Sequence, residues 1–288
     1  MEKINTEGKF SGSIRYDEPM SAHTTFKVGG KADVWVQPGK GIFPGYAASL
    51  LKAAREEGVP VFVLGGGANI VVSDRGIRGI VLDTGAFRGL AKRNGSSVSA
   101  LAGTSVEELT TRLAGKGLSG MEFLAGMPGS VGGAVWMNAR CYEKSVSDAL
   151  IETVILDENR ELQKLPFRDE DFSYKKSPFQ GREILILSAR FAVRFREPGE
   201  IHGEMASYRR DRFEKGHYRF PSAGSAFKNN RDFGDPTGKI IDQLGLKGFS
   251  MGGARIAPWH GNIIINTGNA AAGDIKNLMN EVARRVKE

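Results

Sequence analysis

Glycine is what most limits the folds open to this protein: 38 of its 288 residues are glycine, about 13% against the ~7% of average usage. They follow no collagen-like period and form no low-complexity tract. They therefore mark places where the backbone turns tightly or approaches something that a Cβ would hold off. Two clusters stand out. Leu64-Gly65-Gly66-Gly67-Ala68-Asn69 lies between short apolar strands predicted at 59–64 and 70–73, with another at 79–83. Gly126-Met127-Pro128-Gly129-Ser130-Val131-Gly132-Gly133-Ala134 follows later, flanked by Phe123, Leu124, Val135, Trp136 and Met137. A P-loop or a dinucleotide-binding βαβ turn needs its glycines to pass from strand into helix, so strand-glycine-strand excludes both at 65–69. Three successive glycines can still bring several backbone N–H groups around one diphosphate, and Asn69 adds a side-chain amide. The apolar flanks of the second cluster suit a bulky planar cofactor that needs close backbone approach.

Charge narrows the partners without choosing one. With 40 Lys and Arg against 33 Asp and Glu the protein has a formal charge of +7, which suits phosphate-bearing small molecules as well as nucleic acid. No basic stretch is interleaved with aromatics: Arg209, Arg210 and Arg212 share a helical run with Asp211 and Glu214 and read as a solvated face, so no nucleic-acid partner is expected. A single cysteine, Cys141, excludes an internal disulfide framework, and four scattered histidines offer no zinc spacing, so no metal is expected. The N-terminus lacks a signal peptide and no apolar run is long enough to span a membrane, which reads as a cytoplasmic protein.

Periodicity predicts helices at 47–57, 106–114 and 200–215, and a last one striped by Ile275, Leu278, Met279, Val282 and Val286. Thr104 with Glu107 reads as a capping box for the second, and Asp235-Pro236 as the cap and first turn of another. Strands are expected at 97–102 and 262–266, a hairpin at 152–165 around Asp157-Glu158-Asn159-Arg160, and a long apolar strand at 183–193. The pattern changes at Glu197-Pro198-Gly199, where a domain boundary is placed. The last helical stripe reaches Glu288 without a glycine or asparagine stop, which reads as a sequence cut short.

Four segments together resemble the UDP-N-acetylenolpyruvoylglucosamine reductase family, in that family's order and spacing: residues 22–30 (AHTTFKVGG), 64–74 (LGGGANIVVSD), 117–138 (GLSGMEFLAGMPGSVGGAVWMN) and 221–229 (PSAGSAFKN). With no insertion between the later segments, the sequence resembles the shorter, type II branch. The resemblance implies an α+β protein: a PCMH-type FAD-binding domain of two subdomains, residues 1–196, then a smaller α/β substrate-binding domain, residues 197–288. It implies NADPH-dependent reduction of UDP-N-acetylglucosamine enolpyruvate to UDP-N-acetylmuramate in peptidoglycan synthesis, by a monomer taking part in cell-wall biogenesis, cell shape and division. The FAD would be held non-covalently by Thr25, Gly29, Gly65, Gly66, Gly67, Ala68, Asn69, Gly126, Ser130, Gly132 and Gly133. No histidine lies in or beside the two glycine clusters to make a covalent link.

By the same resemblance Ser225 is the proton donor, while Tyr174, Lys228, Asn229 and His260 meet the substrate. Three departures accompany it. Lys175 stands where the family has an arginine, bringing the charge but not the planar fork that grips a carboxylate through two bonds. The terminal tail with the family's glutamate lies beyond Glu288, and Arg140-Cys141 replaces small residues. Two other readings stand beside this one: a PCMH-type flavin oxidoreductase with another substrate, which has no reason for Ser225-Ala226-Phe227-Lys228-Asn229, and a non-catalytic flavin or sugar-nucleotide binder. A basic nucleic-acid module leaves the clustered glycines unexplained and ranks last.

Overall fold

The computed structural model describes residues 10–94 and 96–288. The protein forms two compact units. The first takes the sequence through Tyr16 with Val34–Gly66 and Gly79–Arg209; the second takes Asp17–Asp33, Gly67–Arg78 and Arg210–Glu288. The elements in sequence order begin β1 (Gly12–Pro19), β2 (Lys31–Pro38), α1 (Phe43–Glu56), β3 (Val61–Leu64), β4 (Ile77–Asp83), β5 (Leu90–Asn94), β6 (Ser97–Leu101) and α2 (Val106–Ala114). They continue with β7 (Leu118–Ser119), α3 (Val131–Trp136), β8 (Arg140–Cys141), β9 (Lys144–Ser145), β10 (Leu150–Leu156), β11 (Leu162–Pro166), β12 (Leu185–Ala192) and β13 (Arg194–Phe195). Last come α4 (Pro198–Glu214), α5 (Thr237–Gln243), β14 (Ser250–Met251), β15 (Ala254–Ile256), β16 (Ile264–Asn266) and α6 (Ala272–Lys287). Helices and strands are mixed without regular alternation, an α+β arrangement.

In the first unit a five-stranded sheet runs β11-β10-β12-β6-β5. Its central strand β12 is covered on both faces: Leu185 and Leu187 join one buried cluster with Val34, Phe43 and Leu50, while Ile186, Ala189 and Phe191 join another with Leu109, Leu113 and Phe123. Burial on both faces is why its sequence reads as a long apolar run, interrupted only at Ser188 and Arg190. The hairpin expected around residue 157 is present, with Glu152 opposite Pro166 and Leu156 opposite Leu162. β3 and β4 pair in parallel, Leu64 opposite Asp83, and β3 delivers the backbone into the first glycine cluster. α1 begins earlier than its apolar spacing suggested because Pro44, whose missing N–H costs nothing in a first turn, starts it.

In the second unit α6 packs its stripe of Ile275, Leu278 and Val282 with Ile241, Ala254, Ile256 and Ile264, along with Phe26 and Val28. The antiparallel sheet beneath it runs β14-β15-β16. The Asp74 carboxylate accepts from the N–H groups of Ala272 and Gly273, both at 2.8 Å, and so satisfies the first turn of α6.

Four local expectations fail. Residues 70–73 form no strand: Val72 is buried, but Gly29 lies against it and only an irregular path follows, with Gly30 N–H donating to Ser73 C=O at 2.9 Å. The cap of α2 is Ser105, whose hydroxyl accepts from Glu108 N–H; Thr104 Oγ1 is turned to Gly89 instead. α5 begins at Thr237 with Pro236 as its cap residue, one position later than expected. Arg209 ion-pairs with Glu107 and Arg212 is only 8% exposed, so of the three arginines only Arg210 is on a solvated face. Among the described residues no helix is long and apolar enough to cross a membrane, and no cluster of metal-ligating side chains is present.

Candidate functional site

The two glycine clusters meet in the first unit. A Cβ on Gly66 would lie 2.6 Å from Gly129 Cα and 2.8 Å from its carbonyl carbon, so the loops touch backbone to backbone. Gly65 likewise leaves room only for the Ser130 hydroxyl. That hydroxyl accepts from Gly133 N–H at 3.3 Å and caps α3, while Gly132 N–H donates to Ala102 C=O at 2.8 Å, fixing the second cluster to the end of β6. Glu107 anchors its start. The Glu107 carboxylate accepts from Gly126 N–H at 2.8 Å and is itself paired with Arg209.

Thr25, Gly29, Gly67, Ala68 and Asn69 belong to the second unit. Gly67 is buried with φ +60°, and a Cβ there would run into the His23 carbonyl oxygen, so only glycine serves. Its carbonyl accepts from Thr25 N–H at 3.1 Å, and Thr25 Oγ1 donates onward to Ser222 C=O at 2.7 Å. Among the described residues the N–H groups of Gly67, Ala68 and Asn69 in this unit have no protein acceptor. Consecutive donors without a protein partner, the first of them buried, are what an anionic ligand such as a diphosphate would complete.

Tyr174 and Lys175 occupy a four-residue turn of the first unit, closed by Lys176 N–H donating to Ser173 C=O at 3.0 Å. Lys175 is left-handed, φ 58°, and half-buried. Side chains missed in the sequence hold this turn against the end of α3. Gln180 Nε2 donates to Lys175 C=O at 3.2 Å and to Trp136 C=O at 3.0 Å, Ser177 Oγ donates to Trp136 C=O at 2.6 Å, and buried Asn138 donates to Ser173 C=O at 3.0 Å. α3 therefore carries the second glycine cluster at one end and the Lys175 turn at the other.

Ser225, Lys228, Asn229 and His260 all lie in the second unit. Ser225 is exposed on a segment running antiparallel to β16 and bridged to Ile263. Asn229, expected at the substrate, has its Oδ1 accepting from Thr237 N–H at 3.1 Å at the start of α5. Thr237 Oγ1 donates to Lys228 C=O at 2.9 Å. His260 Nδ1 accepts from Asn262 N–H at 3.1 Å, so a neutral ring carries its proton on Nε2 and can donate from there.

His217 and His260 lie ring to ring at 6.0 Å. Burial, then the nearby Arg212, His260 and Lys215, pull His217 down from its ordinary 6.5 to about 4 against a weaker pull from Asp211. Burial also lowers His260, and Lys215 and Lys247 add to the effect. The unfolded protein takes up a proton at position 217 near pH 6.5 that the folded protein refuses until about pH 4. Stability present above pH 6.5 is therefore lost as pH falls through that window. Urea unfolding at pH 7 and pH 5 should show the His217→Gln variant losing on the order of 1 kcal/mol less than the parent between the two; equal losses would contradict the assignment.

A family model described as the C-terminal domain of UDP-N-acetylenolpyruvoylglucosamine reductase matches residues 216–288, and one described as an FAD binding domain matches residues 46–165. The UDP-N-acetylenolpyruvoylglucosamine reductase of Treponema denticola is 39% identical, over 96% of this chain and 90% of its own. That of Bacillus subtilis is 37% identical, over 100% and 94%. The crystal structure of the reductase from Thermus caldophilus matches with a TM-score of 0.79 at 32% identity, covering 96% of both proteins.

Proposed function

We propose, from a chain that belongs to the UDP-N-acetylenolpyruvoylglucosamine reductase family, that it reduces UDP-N-acetylglucosamine enolpyruvate to UDP-N-acetylmuramate for peptidoglycan synthesis, with FAD bound non-covalently and NADPH as reductant. The observation that carries this is similarity along almost the entire sequence to reductases of that name. The N–H groups of residues 67–69, which have no protein acceptor, fit the cofactor's diphosphate, and the abutment of Gly66 on Gly129 fits its need for close backbone approach. In this reading Thr25, Gly29, Gly65, Gly66, Gly67, Ala68, Asn69, Gly126, Ser130, Gly132 and Gly133 hold FAD. Residues 1–196 serve as its PCMH-type domain and residues 197–288 serve the substrate. The protein works as a type II family member, a cytoplasmic monomer.

FAD, when bound, supplies the two-electron carrier between NADPH and the substrate. The rest falls to side chains. The enol ether double bond must gain a hydride at one carbon and a proton at the next, and Ser225 Oγ gives that proton. A hydroxyl is a weak acid, so nearby cations must favour its ionised form, and Lys228, three residues on, supplies one. Lys175 meets the negative charge that spreads into the substrate carboxylate before protonation. Tyr174, Asn229 and His260 orient the sugar nucleotide, His260 by donating from Nε2. Lysine in place of the family's arginine favours a second reading, a reductase with a slowed oxidative half.

The test is anaerobic. NADPH should bleach the oxidised flavin, and the enolpyruvyl sugar nucleotide should then restore it. Bleaching without recovery would place the protein with the impaired homologues, and folded protein that takes up no FAD would overturn the reading.

A further inference from the structure

Ser225 is exposed, so its hydroxyl is positioned by its backbone rather than by packing, and just beyond it a buried amide holds that backbone. Asn262 is only 4% exposed. Its Oδ1 accepts from Phe227 N–H at 2.9 Å and its Nδ2 donates to Phe227 C=O at 2.9 Å. Its backbone C=O accepts from Ala226 N–H at 2.9 Å, and its N–H donates to His260 Nδ1 at 3.1 Å. Backbone pairing between the two segments starts at Asn266 N–H and Pro221 C=O, 2.9 Å, and passes through the Ser225–Ile263 bridge. At Phe227 the Asn262 side chain takes over, presenting the donor and the acceptor that a paired peptide would otherwise supply.

We propose that Asn262 is a positioning residue for Ser225: its amide clamp on Phe227 fixes where the Ser225 hydroxyl stands relative to the substrate carbon. The inference rests on Ser225 being the proton donor. Proton transfer tolerates little displacement, and misplacing a reacting group by about 1 Å costs about 100-fold in rate. The buried centre of this unit's apolar cluster is Ile241, Ile256, Ile264, Ile275 and their neighbours, and Ala226 and Phe227 pack against it only partly buried, so losing the clamp acts at the edge of the core and not at its centre.

Two variants test it. Asn262→Ala removes both bonds to Phe227; Asn262→Asp keeps the shape and the acceptor but cannot donate to Phe227 C=O. Melting temperature and FAD content report folding. In the protein without substrate, hydrogen exchange at the Ala226 and Phe227 amides should quicken by about tenfold or more. In the loaded enzyme, flavin reduction by NADPH should stay within about twofold of the parent, while reoxidation by the enolpyruvyl substrate slows by about 100-fold with its Kd within about threefold. Equal slowing of both half-reactions would overturn the proposal, since a general structural defect does that. Ser225→Ala run alongside separates the two ideas. If it reoxidises at the parental rate, the proton-donor reading falls and takes this inference with it. If it is slow while both Asn262 variants keep parental reoxidation, the inference alone is overturned.

Discussion

Gly66→Ala should yield a protein that folds but purifies largely without flavin. The added methyl would stand 2.6 Å from Gly129 Cα and 2.8 Å from its carbonyl carbon, and backbone atoms cannot swing aside as a side-chain end can. Gly129 is pinned in turn, its C=O accepting from Val106 N–H at 3.0 Å while the next residue, Ser130, caps α3. The two loops must therefore separate, at a cost of about 1–3 kcal/mol in strain. The greater effect falls on the ligand. N–H groups aimed at a phosphate contribute about 1.5–3 kcal/mol each, so misaligning two of them should raise the Kd for FAD by at least about 100-fold. Gly45→Ala is the matched control: it lies inside α1 with nothing near its would-be Cβ, and should gain about 0.5–1 kcal/mol in stability with full flavin content. Flavin absorbance per protein after gel filtration reads both. Stoichiometric flavin in Gly66→Ala would mean that the contact between the loops does not shape the cofactor site.

The glycine clusters were legible because an excess of glycine signals close approach even when nothing says what approaches. The apolar elements were legible for a similar reason: β12 reads as a largely apolar run and α6 as a stripe because burial is written along each element itself. What stayed hidden were polar side chains whose partners are remote in sequence. Glu107 looked like half of a capping box three residues from Thr104, but its carboxylate serves Gly126 and Arg209, and no local pattern encodes either. Asn138 and Gln180 are ordinary amides in the sequence, and their importance comes from the backbone they hold, at Ser173 and Lys175. Arg212 looked solvated beside Asp211 and Glu214, yet helical spacing puts it on the same face as the buried Ile201 and Met205. Motif order identified the family; the supports that place Ser225 and Lys175 had to be seen.

Replacing Lys175 with glycine should cost about 100- to 1,000-fold in substrate-driven flavin reoxidation while leaving the fold as stable as before. The lysine sits at φ 58° in a turn closed by Lys176 N–H and Ser173 C=O, a position where glycine or asparagine is usual and another residue costs about 1 kcal/mol. Glycine removes that strain but adds disorder to the unfolded state, so the net change in stability should be small, a gain on the order of 0.5 kcal/mol or less. The turn keeps its place either way, because Gln180 and Asn138 grip backbone carbonyls and not the lysine side chain. The half-buried four-carbon chain goes with the ammonium, and in the proposed reading so does the charge opposite the substrate carboxylate. Lys175→Arg runs the other way: it keeps the charge, adds the two-pronged grip and should reoxidise at least as fast as the parent. Strained backbone is tolerated where it aims a working group, so stability and rate should separate in this pair. Parental reoxidation in Lys175→Gly would remove Lys175 from the mechanism, and a clear fall in its melting temperature would show that the side chain, not the turn, was holding this part of the fold.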